Sequence, residues 1–188
     1  LGKVLTGLIP CRDGRFVVAG SQVRQKRLSD YAYFVMQEAD HQLYKESDVE
    51  ELRLGNERAS DIDERIAGIL DMLNLTDFAQ HHPYALSGGQ KQRLTIGTAM
   101  ASSKPIVVLD EPTSGLDWGN MCAVAQAINQ LRESGRLVFV ITHDIELVDL
   151  TATRVLALAE GRIADDFPLS SQAALERTRQ IMLGGGLL

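Results

Sequence analysis

The chain has 188 residues, of which 25 are acidic and 19 basic for a net charge of -6, with 45% apolar and 23% charged residues. That length supports one good-sized core and that composition belongs to an ordinary globular protein, not to a disordered or collagen-like one. No run of Lys or Arg forms a stripe able to track phosphates, so no nucleic acid is expected as a partner, and no stretch approaches the roughly 18 consecutive apolar residues of a membrane span.

In chain order, Val4, Leu5, Leu8 and Ile9 stand at helical spacing and predict a short helix over Leu1 to Ile9, ended by Pro10. The chain starts without Met and already in this helical pattern, so a preceding N-terminal portion is expected. Cys11 and Cys122 have no Cys or His at metal-ligand spacing and read as buried thiols of a reducing compartment. Asp13-Gly14 is a turn signal, Phe16 to Ala19 a strand stopped by Gly20, and Tyr31 to Met36 a second strand with Gln37 at its end.

From Glu38 to about Gln80 the composition becomes charged and helical. Val49, Leu52 and Leu54, then Ile62, Ile66, Ile69, Leu70, Leu73 and Leu75, mark an inserted helical lobe. Its acidic residues Asp48, Glu50, Glu51, Asp61, Asp63 and Glu64 read as a solvated face. Adjacent histidines point in different directions on most backbones, so His81-His82-Pro83 reads as a loop and not as a metal site.

Leu86-Ser87-Gly88-Gly89-Gln90 then opens a helix that continues through Leu94, Ile96, Ala99 and Met100, with Lys91 and Arg93 on its polar side. Ser87 is a good N-cap, and Gly88 and Gly89 leave the first turn bare enough for a ligand to reach the backbone. Such a helix start favours an anion, phosphate first of all. Pro105 ends this helix, and Ile106 to Leu109 is an apolar run of the kind a parallel strand covered on both faces requires. Asp110 and Glu111 close it, Pro112 to Gly115 turn, and a helix is expected from about Asn120 to Glu133.

Leu137 to Ile141 reads as another buried strand, ending in Thr142-His143-Asp144. A helix from Ile145 to about Leu150, a strand from Arg154 to Ala159, a Gly161 turn, a short strand around Ile163 and a helix from Ser171 to Met182 follow, and Gly184 to Gly186 fray away. Strands alternating with helices predict a layered α/β core with a parallel sheet.

Three polar groups thus stand at the ends of core strands: Gln37, the Asp110-Glu111 pair and His143. Strand ends converge in open α/β sheets, which places these groups in one crevice. Two acids after an apolar strand suit phosphoryl transfer, with Asp110 holding Mg2+ and Glu111 handling the attacking water.

In order and spacing, Gln37, Leu86 to Gln90, Ile106 to Glu111, Ser114-Gly115-Leu116-Asp117 and His143 resemble the nucleotide-binding domain of ABC-type ATPases. The resemblance implies a P-loop NTPase-like parallel-sheet core (1-37 and 105-188) with an inserted α-helical subdomain (38-104), lacking the strand and phosphate loop that the family carries before its first helix. It further implies ATP and Mg2+ as cofactors and a dimer with a second ABC ATPase subunit, identical or not. Ser87, Gly88, Gly89 and Gln90 would face the partner's ATP. Asp110 would support Mg2+, Glu111 would be the general base, and Gln37 would sense metal and water. His143 would contact the γ-phosphate, and Asp117 would couple the two sites.

Gln37-Glu38-Ala39-Asp40-His41-Gln42-Leu43-Tyr44 looks like the energy-coupling-factor class of importer ATPases, which serve vitamin and cobalt or nickel uptake. That class implies a transmembrane coupling protein as partner and a peripheral place on the cytoplasmic face of the membrane. The alternatives are a soluble ABC-type ATPase acting on DNA or ribosomes, or a truncated chain inactive in ATP hydrolysis.

Overall fold

In the computed structural model, which describes residues 1–55 and 61–184, the chain divides between Ile141 and Thr142 into two units. The first helix, α1, covers only Gly2–Leu5. It stops short of the expected Ile9 because the Thr6 hydroxyl donates back to the carbonyl of Gly2 (3.1 Å) and Gly7 takes a left-handed φ of 78°. Strand β1 (Phe16–Val18) ends where Ala19 and Gly20 both turn left-handed. A two-residue turn of that hand matches the twist of a hairpin, so β2 (Ser21–Val23) folds back antiparallel on β1, a strand the residue pattern did not announce.

β3 (Ala32–Val35) and the apolar β4 (Ile106–Asp110) pair in parallel, and β4 pairs in parallel with β5 (Leu137–Ile141), for a sheet order β3-β4-β5. The central strand is covered on both faces. Val107, Val108 and Leu109 are wholly buried, each contributing about 1.5–3 kcal/mol. β5 was expected to be buried but lies at the edge of this sheet, and Leu137 and Ile141 at its ends are exposed.

The lobe between β3 and β4 holds α2 (Asp48–Arg53), α3 (Ile62–Met72) and α4 (Gly88–Ala101). Every residue of α4 from Gln92 to Ala101 is buried. Gly97 makes this possible: a Cβ there would meet Leu52, Ile69 and Leu73 at 2.9–3.1 Å, so only a bare backbone lets α2 and α3 close on α4. Arg93 is therefore not on a polar side. It is buried, and its Nε donates to the carbonyl of Leu73 at 2.7 Å. The Tyr33 hydroxyl donates to Thr98 (2.9 Å), tying α4 to β3.

The acidic face also departs from expectation. Asp48 and Glu51 are 0% and 2% exposed, because α2 docks on the following loop, with Asp48 N–H donating to the carbonyl of His81 and Val49 N–H to that of Ala79. Helix α5 (Trp118–Glu133) starts two residues earlier than expected, at its cap Asp117, and buries Ala123, Val124, Ala127, Ile128 and Leu131. Both cysteines are half-buried thiols.

The second unit contains α6 (Ile145–Thr151), a bulged antiparallel hairpin of β6 (Arg154–Ala159) and β7 (Arg162–Pro168), and α7 (Gln172–Met182). β7 is much longer than the short strand expected around Ile163. Gly184 follows α7 with a left-handed φ of 78°, whereas Gly185 and Gly186, expected to fray, lie outside the described residues.

Candidate functional site

Parallel pairing sets Val35 opposite Leu109 and Asp110 opposite Ile141, so Gln37, Asp110 and Glu111 leave the sheet at the same end. Asp110 and Glu111 are half-buried and Gln37 is exposed, two residues beyond the end of its strand. Glu111 is held at a φ of 49°, a left-handed conformation that costs a residue with a side chain about 1–3 kcal/mol and gathers at active sites. Its N–H donates to the carbonyl of Ile141 (2.8 Å), and its carbonyl accepts from Ser114 N–H (3.3 Å). The strand thus continues to Asp110, and the next residue is swung out of line and pinned.

The segment after Gln37 is closed by one side chain. Gln42 Oε1 accepts from Met36 N–H (2.6 Å), and its Nε2 donates to the carbonyl of Phe34 (2.7 Å), so residues 37–41 form a loop stapled to the end of β3.

The start of α4 follows the expected chemistry. Ser87 Oγ accepts from Gln90 N–H (3.4 Å), and Gln90 Oε1 accepts from Ser87 N–H (2.8 Å), a reciprocal capping box. Ser87 and Gly88 are exposed, and among the described residues nothing lies within 4 Å of where a Cβ on Gly88 would stand. Gly89, by contrast, is bare because Leu116 crosses it: a Cβ would approach Leu116 Cδ2 to 3.1 Å. This contact sets the cap against the turn 114–117. In that turn Asp117 caps α5, its Oδ1 accepting from Asn120 N–H (2.9 Å) and Oδ2 from the Asn120 amide (2.9 Å).

The far end of α4 is built oppositely. Arg136 donates to the carbonyls of Ala99 (2.9 Å) and Met100 (3.3 Å), and Arg65 to that of Ala101 (2.9 Å). Two guanidiniums complement the negative end of the helix dipole, and burial lowers the pKa of Arg136, with repulsion from Arg65 adding to it. The positive end, with its glycines, carries no such partner from an acidic side chain in its first turn. A helix start left bare in this way has the polarity that favours an anion.

His143 is exposed and belongs to the second unit, one residue before Asp144, whose carboxylate caps α6 by accepting from Glu146 (3.0 Å) and Leu147 (3.2 Å) N–H groups. Gln37, Asp110 and Glu111 therefore follow the same end of one sheet, Gly89 and the turn before Asp117 meet in one helix-turn contact, and His143 belongs to a separate unit. Among the described residues no three His, Cys, Asp or Glu side chains form a metal cluster. One carboxylate and one amide oxygen nevertheless suit Mg2+, which binds through one or two protein groups, water and substrate phosphates.

A strained acid after a central parallel strand and a glycine-bared, capped helix start are carried here on one α/β scaffold. The model of the family described as ABC transporter matches residues 1–114, and the chain belongs to that family. Over 176 residues it is 38% identical to a protein of Treponema denticola named as an ABC transporter ATP-binding protein, covering 94% of this chain and 36% of that one. It is 31% identical over 167 residues to a Bacillus subtilis protein named as the HMP/thiamine import ATP-binding protein YkoD, covering 87% of this chain and 30% of that one. The chain thus spans about a third of the length of these relatives. Among solved structures, the dimeric ATP-binding cassette MJ0796 in a post-hydrolysis state with ADP and Pi matches at 25% identity and a TM-score of 0.76, over 90% of this chain and 79% of that one. The P-loop NTPase-like α/β fold of an ABC cassette is the fold of this chain.

Proposed function

We propose that this chain is the ATP-binding and ATP-hydrolysing part of an ABC importer of energy-coupling-factor type, driving uptake of a metal ion or vitamin. The observation that carries this reading is the left-handed Glu111 directly after Asp110: strain maintained at the end of a buried strand fixes the backbone from which its carboxylate projects. There it takes the proton of the water that attacks the γ-phosphate. Asp110 and Gln37 offer oxygens to Mg2+, which when bound neutralises charge on the phosphates. The N–H groups behind Ser87 and Gly89 receive the γ-phosphate of a second cassette, a copy of this chain or a relative, while His143 contacts the γ-phosphate of its own site. Asp117, next to the Leu116 contact with Gly89, couples the two sites.

On this reading residues 1–37 and 105–188 are the ATPase core and 38–104 the helical subdomain. The subdomain has a cavity of about 330 Å³ whose lining includes apolar Val49, Ile66, Ala67, Leu70 and Ala79 and acidic Asp63 and Asp71. Its apolar lining and the Asp71 carboxylate suit a cytoplasmic loop of a transmembrane coupling protein, since such loops are rich in Lys and Arg. No described helix is long and apolar enough to cross a membrane, and the chain sits peripherally on the cytoplasmic face. The relative named for thiamine import supports a vitamin as cargo.

The test is Mg2+-dependent ATP hydrolysis by the full-length protein. Glu111→Gln lowers turnover by about 10²- to 10⁴-fold with nucleotide binding retained; unchanged turnover contradicts the assignment.

A further inference from the structure

We propose that Asp40 and Lys91 form a strut that transmits the position of the Gln37 loop in one site to the Ser87 cap that the same protomer lends to the other site. The inference rests on the reading above for what the two ends do.

Each link of the strut is a contact in the first unit. The Gln42 side chain staples residues 37–41 to the end of β3 through Phe34 and Met36, so the loop moves as a closed piece. Asp40 in that loop accepts from Lys91 Nζ at 2.7 Å. Lys91 stands in the first turns of α4, and its own N–H donates to the carbonyl of Ser87 at 2.9 Å. It is the residue immediately after Gln90, whose side chain completes the cap.

The Lys91 side chain is only 15% exposed, because its ammonium lies 5.5 Å from the ring centre of Tyr84, which stacks on His82 at 5.2 Å. His82 Nδ1 accepts from Tyr84 N–H (3.2 Å) and holds that short turn in place before the cap. The ammonium is thus clamped between an aromatic face and a carboxylate, which restricts a side chain that is otherwise flexible.

An ion pair with one exposed partner adds little to stability. Its value here is positional: it is a side-chain bond between the loop carrying Gln37 and the helix start carrying Ser87, 51 residues apart in sequence. Nucleotide engaging Gln37 therefore displaces Asp40, Lys91 and the cap together, and occupancy of one site alters the affinity of the other, a coupling that works equally in both directions.

The test compares Asp40→Lys, Lys91→Asp and the double reversal in the full-length protein. Without nucleotide, either single variant is expected to raise amide hydrogen exchange in both segments 38–44 and 87–91 by about fivefold, and the double reversal restores it. With Mg-ATP, the singles lower the Hill coefficient for hydrolysis toward about 1 while the maximal rate stays within about twofold, and the double reversal recovers cooperativity. Exchange that changes without any change in the Hill coefficient reduces the pair to a structural tether and overturns the strut, as does a failure of the double reversal to rescue. A wild type that does not hydrolyse ATP at all instead overturns the functional reading, which separates the two failures.

Discussion

The molecule holds two pairs of acids that share residue types but not fates. Asp110 and Glu111 end a buried strand, stay half-buried, and have their backbone bent so that Glu111 sits at a φ of 49°. Asp48 and Glu51 lie one turn apart on α2 and are sealed in: Glu51 accepts from the Tyr44 and Lys45 N–H groups, and neither oxygen of Asp48 has a hydrogen-bond partner among the described residues. Burial, and behind it the charge of Glu51, pushes the Asp48 carboxyl up to about 7. The difference teaches that solvent access and backbone conformation, not acidity as such, separate a carboxylate available for chemistry from one that only affects stability.

The comparison can be broken from either side. The largest effect is expected at the strand end, where Asp110→Asn should cut Mg2+-dependent hydrolysis by about 10²-fold or more without unfolding the chain; retained activity at ordinary Mg2+ concentrations would remove Asp110 from the metal site. Next comes the sealed pair. Asp48 binds its proton more tightly folded than unfolded, so its contribution to stability is complete below the unfolded pKa near 3.9 and is lost as pH rises to about 7. Asp48→Asn should therefore flatten urea stability over that window and exceed the wild type at pH 8 by about 1–3 kcal/mol. Parallel pH profiles for the two proteins would show that the acid is not sealed. Smaller still, Arg136→Met should cost about 1–2 kcal/mol in thermal unfolding by leaving the Ala99 and Met100 carbonyls without their donor. Asp117→Ala should cost about 1 kcal/mol through the lost cap of α5.

The active-looking pair was legible in the sequence and the sealed one was not, for a physical reason. An apolar run followed by acids, or Ser-Gly-Gly-Gln before a helical pattern, is local chemistry: strand burial, capping and bare backbone act within a few residues. The burial of Asp48 comes from the loop carrying Ala79 and His81 crossing its helix about 30 residues later, and the six-residue α2 is too short for periodicity to disclose an inward face. Arg93 was misplaced for the same reason, since the carbonyl of Leu73 that holds it belongs to another turn of chain. The β1-β2 hairpin escaped because its first turn residue is Ala19, in a conformation that favours glycine or asparagine. The strain at Glu111 has no sequence signature at all. The pairing of Lys91 with Asp40 joins residues 51 apart in sequence, beyond the reach of any local pattern.

The central claim is that the Ser87 cap serves a site whose base is Glu111 of the other cassette, and mixing two disabled proteins tests it most directly. Ser87→Arg and Glu111→Gln homodimers should each be inactive. If cap and base come from different chains, a mixed dimer keeps one intact site, and an equimolar mixture should recover about a quarter of wild-type hydrolysis. A mixture no more active than its components would mean that cap and base act within one chain, and would contradict the account.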